Sequence, residues 1–152
     1  MAVISGCRLG PEDNKLVRAS SRCHAEEVDR LLSAGWDPNE PDETGVSAMQ
    51  AAAAGGFDAT PDGACVETLE VLLAAGGDPS RVSDGRTLVV DAVFASDPSV
   101  ISWIVDQGAN PCLPLPELVA ERYVVDTLVE LAEAEGAPGA AAAIAEAMAA
   151  HC

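Results

Sequence analysis

The stretch "VETLEVLLAAGGDPS", residues 66 to 80, decides the fold because it occurs three times in variant form. Its twins are "HAEEVDRLLSAGWDPN" (24 to 39) and "DPSVISWIVDQGANPC" (97 to 112). Apolar residues three and four apart, Val28, Leu31 and Leu32, then Leu69, Leu72 and Leu73, then Val100 or Ile101, Ile104 and Val105, predict an amphipathic helix in each. Gly35, Gly76 and Gly108 follow the last apolar residue, where a left-handed cap is cheap only for glycine. Pro38, Pro79 and Pro111 then forbid helical continuation.

Ahead of two of these helices lies a second pattern. "DETGVSAMQAAAAGG" (42 to 56) and "VSDGRTLVVDAVFAS" (82 to 96) each begin with a polar turn around Gly45 or Gly85. Ser47 or Thr87 is then placed to cap a short helix rich in small side chains, such as Ala51 to Ala54. Each unit therefore reads as turn, inner helix, outer helix, turn. One unit is longer than the others: "FDATPDGACV", after Gly56, has no counterpart and falls between its inner and outer helices. Pro61 and Asp62-Gly63 suit a loop beside a binding face, and such loops extend a repeat without disturbing the stack.

This layout resembles the ankyrin repeat, a unit of about 33 residues. The resemblance is carried by Gly45, Ser47, Ala52, Ala53, Gly56, Leu69, Leu72, Leu73, Gly76 and Asp78 in one unit. In the next it is Asp84, Gly85, Thr87, Ala92, Ile104, Val105, Gly108 and Ala109; Leu16, Ala19, His24, Val28, Gly35, Asp37 and Asn39 mark an earlier unit. The Thr-Pro-Leu-His start usual for the family is replaced by Ser47-Ala48-Met49-Gln50 and Thr87-Leu88-Val89-Val90. The resemblance implies an all-α solenoid of helix-turn-helix units, one domain over 1–152, with units near 14–39, 40–80 (insertion 57–65), 81–112 and a degenerate capping unit 113–137. A C-terminal helix over 139–152 completes it. Glu117, Glu121, Glu130, Glu133 and Glu135 supply the polar outer face that a terminal unit needs.

Length and composition agree with one helical domain. The 152 residues are 49% apolar but only 3% aromatic, so the core must be close-packed Ala, Leu and Val. No apolar run approaches the roughly 20 residues of a membrane span, and the first residues lack a secretory pattern, so a cytoplasmic protein with no membrane partner is expected. Cys7, Cys23, Cys65, Cys112 and Cys152 form no C-x-x-C pair, which points to reduced thiols rather than a disulfide framework or a zinc site. The net charge of −17 makes nucleic acid a poor partner and a basic protein a good one. The charge is uneven: Arg8, Lys15, Arg18, Arg22 and Arg30 face five acids up to residue 30, and only Arg81, Arg86 and Arg122 face twenty thereafter.

Catalytic groups do not converge in the sequence. His24 enters an outer helix, His151 is near the end, and no spacing selects Asp58 with Asp62, or Asp84 with Asp91, over other carboxylates. No phosphate loop, calcium loop or cofactor motif is present, so no catalysis, cofactor or metal is expected. The resemblance implies instead a protein-binding concave face built from turn tips and inner-helix ends. On this chain that face comprises Glu43, Thr44, Val46, Ser83, Asp84 and Arg86 from turns, and Ser21, Arg22, Ala54, Gly55, Phe94 and Ala95 from helix ends. Trp36, after the capping Gly35, and Asp58 and Asp62 in the insertion extend it.

A monomeric immunity, antitoxin-like or adaptor protein fits these expectations. Two other readings are open: a pocket roofed by the insertion and using Asp58, Asp62 or Cys65, and an oligomeric scaffold using the Ala-rich tail.

Overall fold

The computed structural model describes residues 14–55, 63–81, 86–95, 97–112 and 127–152. Eight helices lie among them: α1 (Lys15–Ser21), α2 (Ala25–Ser33), α3 (Ala48–Ala53), α4 (Ala64–Ala74), α5 (Leu88–Ala95), α6 (Pro98–Asp106), α7 (Leu128–Ala134) and α8 (Pro138–His151). Their contacts form a ladder. The odd-numbered helices touch in sequence, α1 on α3, α3 on α5 and α5 on α7, and make the inner row. The even-numbered helices do the same, α2 on α4, α4 on α6 and α6 on α8, and make the outer row. Rungs join α1 to α2, α3 to α4, α5 to α6 and α7 to α8, so the chain is an all-α repeat solenoid.

The core lies between the two rows. The inner helices are buried almost throughout, with Ala48, Met49, Ala52 and Ala53 of α3 and Leu88, Val89, Ala92 and Val93 of α5 each at 1% exposure or less. The outer helices bury one stripe, as their periodicity predicts: Val28, then Leu69 and Leu72, then Val100, Ile101 and Ile104. Leu31, Leu32, Leu73, Trp36 and Trp103 are partly buried against this core.

Both ends of the helices are set by local chemistry. Asn14 Oδ1 accepts from Val17 N–H at 3.1 Å, and Ser47 Oγ accepts from Gln50 N–H at 3.3 Å while Gln50 Oε1 accepts from Ser47 N–H. This capping box satisfies amides that the start of α3 would otherwise leave unpaired. At the other end, Gly35, Gly76 and Gly108 take φ of +98°, +94° and +93°. The next amide, of Trp36, Gly77 or Ala109, then donates back to Leu31, Leu72 or Ile104, which closes α2, α4 and α6 alike.

The turns that follow are also copies of one another. Asp37, Asp78 and Asn110 each accept, through Oδ1, the amide two residues on, all at 2.9 Å. Asn39 stitches two turns together, donating to Gly76 O at 2.9 Å and accepting from Asp78 N–H at 2.8 Å. Ser80 donates to Asp78 Oδ1, and these hydrogen bonds, hydroxyl first, hold the Asp78 carboxyl below its ordinary pKa.

α7 ends on Gly136 in the same manner as the outer helices, yet it packs in the inner row, and α8 packs as its outer partner. The row a helix occupies is thus set by its neighbours and not by how it ends. Between α3 and α4 lie ten residues, 54 to 63, where three, 22 to 24, separate α1 from α2. Ala64 and Cys65 already belong to the first turn of α4.

The expectation of free thiols is corrected. Cys23 is bonded to Cys65 and Cys112 to Cys152, with Cα–Cα distances of 4.7 and 5.9 Å. A search for C-x-x-C sees only neighbours in sequence, whereas stacking brings together residues 42 and 40 positions apart.

Candidate functional site

The inner helices of units two and three start in register, Ser47 matching Thr87, so residues 46, 51 and 54 correspond to 86, 91 and 94. In unit two the last two of these are Ala51, in α3, and Ala54, its C-cap. In α5 they are Asp91 and Phe94, with Arg86 preceding the helix where unit two has Val46. Small side chains on one helix opposite larger ones on the next leave a cleft of about 140 Å³ between α3 and α5. Thr44, Val46, Gln50, Ala51, Ala54, Arg86 and Asp91 line it.

The turn before α3 forms one wall. Asp42 Oδ1 accepts from the Thr44 amide at 2.9 Å, the Thr44 hydroxyl at 2.7 Å and the Val46 amide at 3.0 Å, which fixes the hairpin. Gly45 adopts φ +83° inside it. On the other wall, Arg86 Nη2 donates to Asp91 Oδ1, and the guanidinium carbon lies 5.4 Å from the centroid of the Phe94 ring. The Arg86 side chain is 42% exposed and that of Asp91 only 3%. Burial pushes the Asp91 carboxyl above its ordinary pKa, and the Arg86 charge opposes the shift, as does the Gln50 side chain. The pair is a cation held at the surface by a carboxylate in the wall, with an aromatic face beneath.

Of the expected surface residues, Thr44, Val46, Ala54 and Arg86 line this cleft, and Phe94 adjoins it. Glu43 is exposed in the same turn. Ser21 and Arg22 are exposed at the end of α1, one unit away, and Ala95 is half-buried at the end of α5. Gly55 is buried, since a Cβ there would lie 2.7 Å from Cys23 Sγ and 2.9 Å from Ser21 O. Trp36 is half-buried against the core rather than projecting free. Asp58, Asp62, Ser83 and Asp84 lie outside the described residues.

Sequence reasoning did not place Gln50, Ala51 and Asp91 on this surface. The signal for Asp91 was present as a single charge inside the apolar run "LVVDAVFA", at the position where the twin helix has alanine.

The inner row is graded in charge. Its first helix and the residue that caps it expose Lys15, Arg18 and Arg22, whereas the turn and cleft of unit two present Asp42, Glu43 and the Arg86–Asp91 pair. His24, before α2, makes no capping hydrogen bond and lies exposed, its Nδ1 3.6 Å from Glu27 Oε2. Among the described residues no cluster of His, Cys, Asp and Glu could hold a metal ion. No described helix is long and apolar enough to cross a membrane.

No curated protein matches the chain. Residues 16–60 match the family model described as ankyrin repeats (many copies), which covers α1 to α3. Residues 16–60 are thus similar to ankyrin repeats, and the same helix pair and glycine-closed turn continue through unit three.

Proposed function

We propose that this chain is a non-catalytic binding module that holds a basic protein through the inner-row face of units two and three. The carrying observation is the cleft between α3 and α5, where four residues expected on a binding face, Thr44, Val46, Ala54 and Arg86, meet beside Phe94. At about 140 Å³ it is too small for a typical small-molecule pocket of roughly 300 Å³ or more, and it suits one inserted side chain of a protein. Arg is among the residue types that carry most energy at interfaces, and Phe is enriched there.

The net charge of −17 supplies long-range attraction for a basic partner, and the graded inner row supplies its orientation. The partner's positive surface covers units two and three. Lys15, Arg18 and Arg22 repel it from unit one. An immunity, antitoxin-like or adaptor role, exercised by a monomer, is consistent with such a surface. In the cytoplasm the two cysteine pairs would be held as dithiols, and in an oxidising compartment as cystines. Where the Cys23–Cys65 bond is formed, the pocket reading loses one of its groups, because a bonded Cys65 is no free nucleophile.

Affinity purification from the native host, with mass spectrometry of retained proteins, tests this reading. The wild-type chain should retain a basic protein at low salt and release it as salt rises. The Ala54→Arg/Phe94→Ala variant, folded by circular dichroism, should not retain it. Retention of the same proteins by both, or retention unaffected by salt, would overturn the proposal.

A further inference from the structure

The two cystines occupy opposite environments. Cys23 and Cys65 are each 4% exposed, and Cys23 is wedged against Gly55 in a left-handed backbone position, φ +54°. Cys112 and Cys152 are both exposed, one in the turn that leaves α6 and the other just past α8. A thiolate must approach a disulfide sulfur to attack it, so access separates the two bonds.

The exposed bond also does a different job. The residues that bury α8 are Ala140, Ala141 and Ile144, all in its first half. From Ala145 to His151 only Ala147 and Met148 are even partly buried, and the rest are exposed. Packing therefore holds the start of α8, while its last two turns are pinned to the exit turn of unit three by Cys112–Cys152.

We propose that Cys112–Cys152 is a thiol–disulfide exchange site, selective over Cys23–Cys65, whose opening releases the last two turns of α8. Its reagent class is a small dithiol or a dithiol protein. One thiolate attacks Cys152 Sγ, the S–S bond breaks, and Cys112 leaves as thiolate. The second thiolate of the reagent then attacks its own sulfur in the mixed disulfide and expels Cys152. The reagent is oxidised by two electrons, the cystine is reduced by two, and the two protons given up by the dithiol end on Cys112 and Cys152.

The test treats the full chain, without denaturant, with graded dithiothreitol, then N-ethylmaleimide and peptide mass spectrometry. Cys112 and Cys152 should be labelled together, about tenfold or more faster than Cys23 and Cys65. Equal rates, earlier labelling of Cys23 and Cys65, or labelling of Cys112 and Cys152 without any reductant would overturn the proposal. Hydrogen exchange reads the second half. Amides 145–152 should exchange faster after mild reduction, and equally fast in the Cys112→Ser/Cys152→Ser variant without reductant, with α3 and α5 unchanged. Full protection of 145–152 in that variant would show that packing holds the helix end, and would overturn the pinning role.

Discussion

Units two and three share a backbone plan and oppose each other in side chains. The inner helix α3 is "AMQAAA", closed at its start by the Ser47–Gln50 capping box. The inner helix α5 is "LVVDAVFA", bulkier, with a buried carboxylate answered by Arg86. Both bury the same positions, 48, 49, 52 and 53 matching 88, 89, 92 and 93, so the stack does not distinguish them. What differs is the set of positions at the cleft, 46, 51 and 54 against 86, 91 and 94. The comparison teaches that a repeat keeps its fold in one set of positions and its chemistry in another, and that a cleft arises where neighbouring units disagree.

The strongest way to break this comparison is to give unit two the charge of unit three without its partner. Ala51→Asp puts a carboxylate in the α3 wall of the cleft, with Val46 where an arginine would be needed. A loss of about 3 kcal/mol is expected in urea unfolding at neutral pH. The double variant Val46→Arg/Ala51→Asp should recover a large part of it, and no recovery would mean that the two units are not equivalent in geometry.

Arg86→Ala should cost less, about 2 kcal/mol, because the guanidinium it removes is partly solvated. Its pH dependence carries the sign. Asp91 has a folded pKa raised above its unfolded value, so its contribution is full below the unfolded pKa and falls as pH rises through the folded one. Removing Arg86 raises the folded value further. The deficit measured near pH 7 should therefore shrink as pH is lowered toward about 4. A deficit constant over that range would show that Asp91 is not the group left uncompensated.

Ser47→Ala isolates what α3 owes to its cap. Loss of the hydroxyl leaves the Gln50 amide unpaired, at about 1 kcal/mol, readable as a lower thermal midpoint. The smallest expected effect sharpens the contrast at 54 and 94: Phe94→Leu keeps most of the apolar volume and loses the ring under Arg86, about 0.5 kcal/mol. A double-mutant cycle with Arg86→Ala would assign that coupling to the pair, and additivity would deny it.

The repeats were legible because their signals are local. A glycine after the last apolar residue, a proline three positions on, and Ser47 ahead of Gln50 act through hydrogen bonds a few residues long, so reading them needs no knowledge of the rest of the chain. The cleft was half legible. Register placed Thr44, Val46, Ala54 and Arg86 on one surface, but the pairing of Arg86 with Asp91 depends on which way two side chains turn. The disulfides were not legible, since their partners lie a whole repeat and more apart in sequence.

By itself the sequence determined the period, the helix ends, the stripe each outer helix buries and the surplus of negative charge, all properties of a residue and its near neighbours. The tertiary structure alone decided that α7 packs in the inner row and α8 in the outer, that Cys23 meets Cys65 and Cys112 meets Cys152, and that Asp91 lies buried beside Arg86. Those are contacts between units, and the stacking of one repeat on the next creates neighbours that no stretch of chain contains.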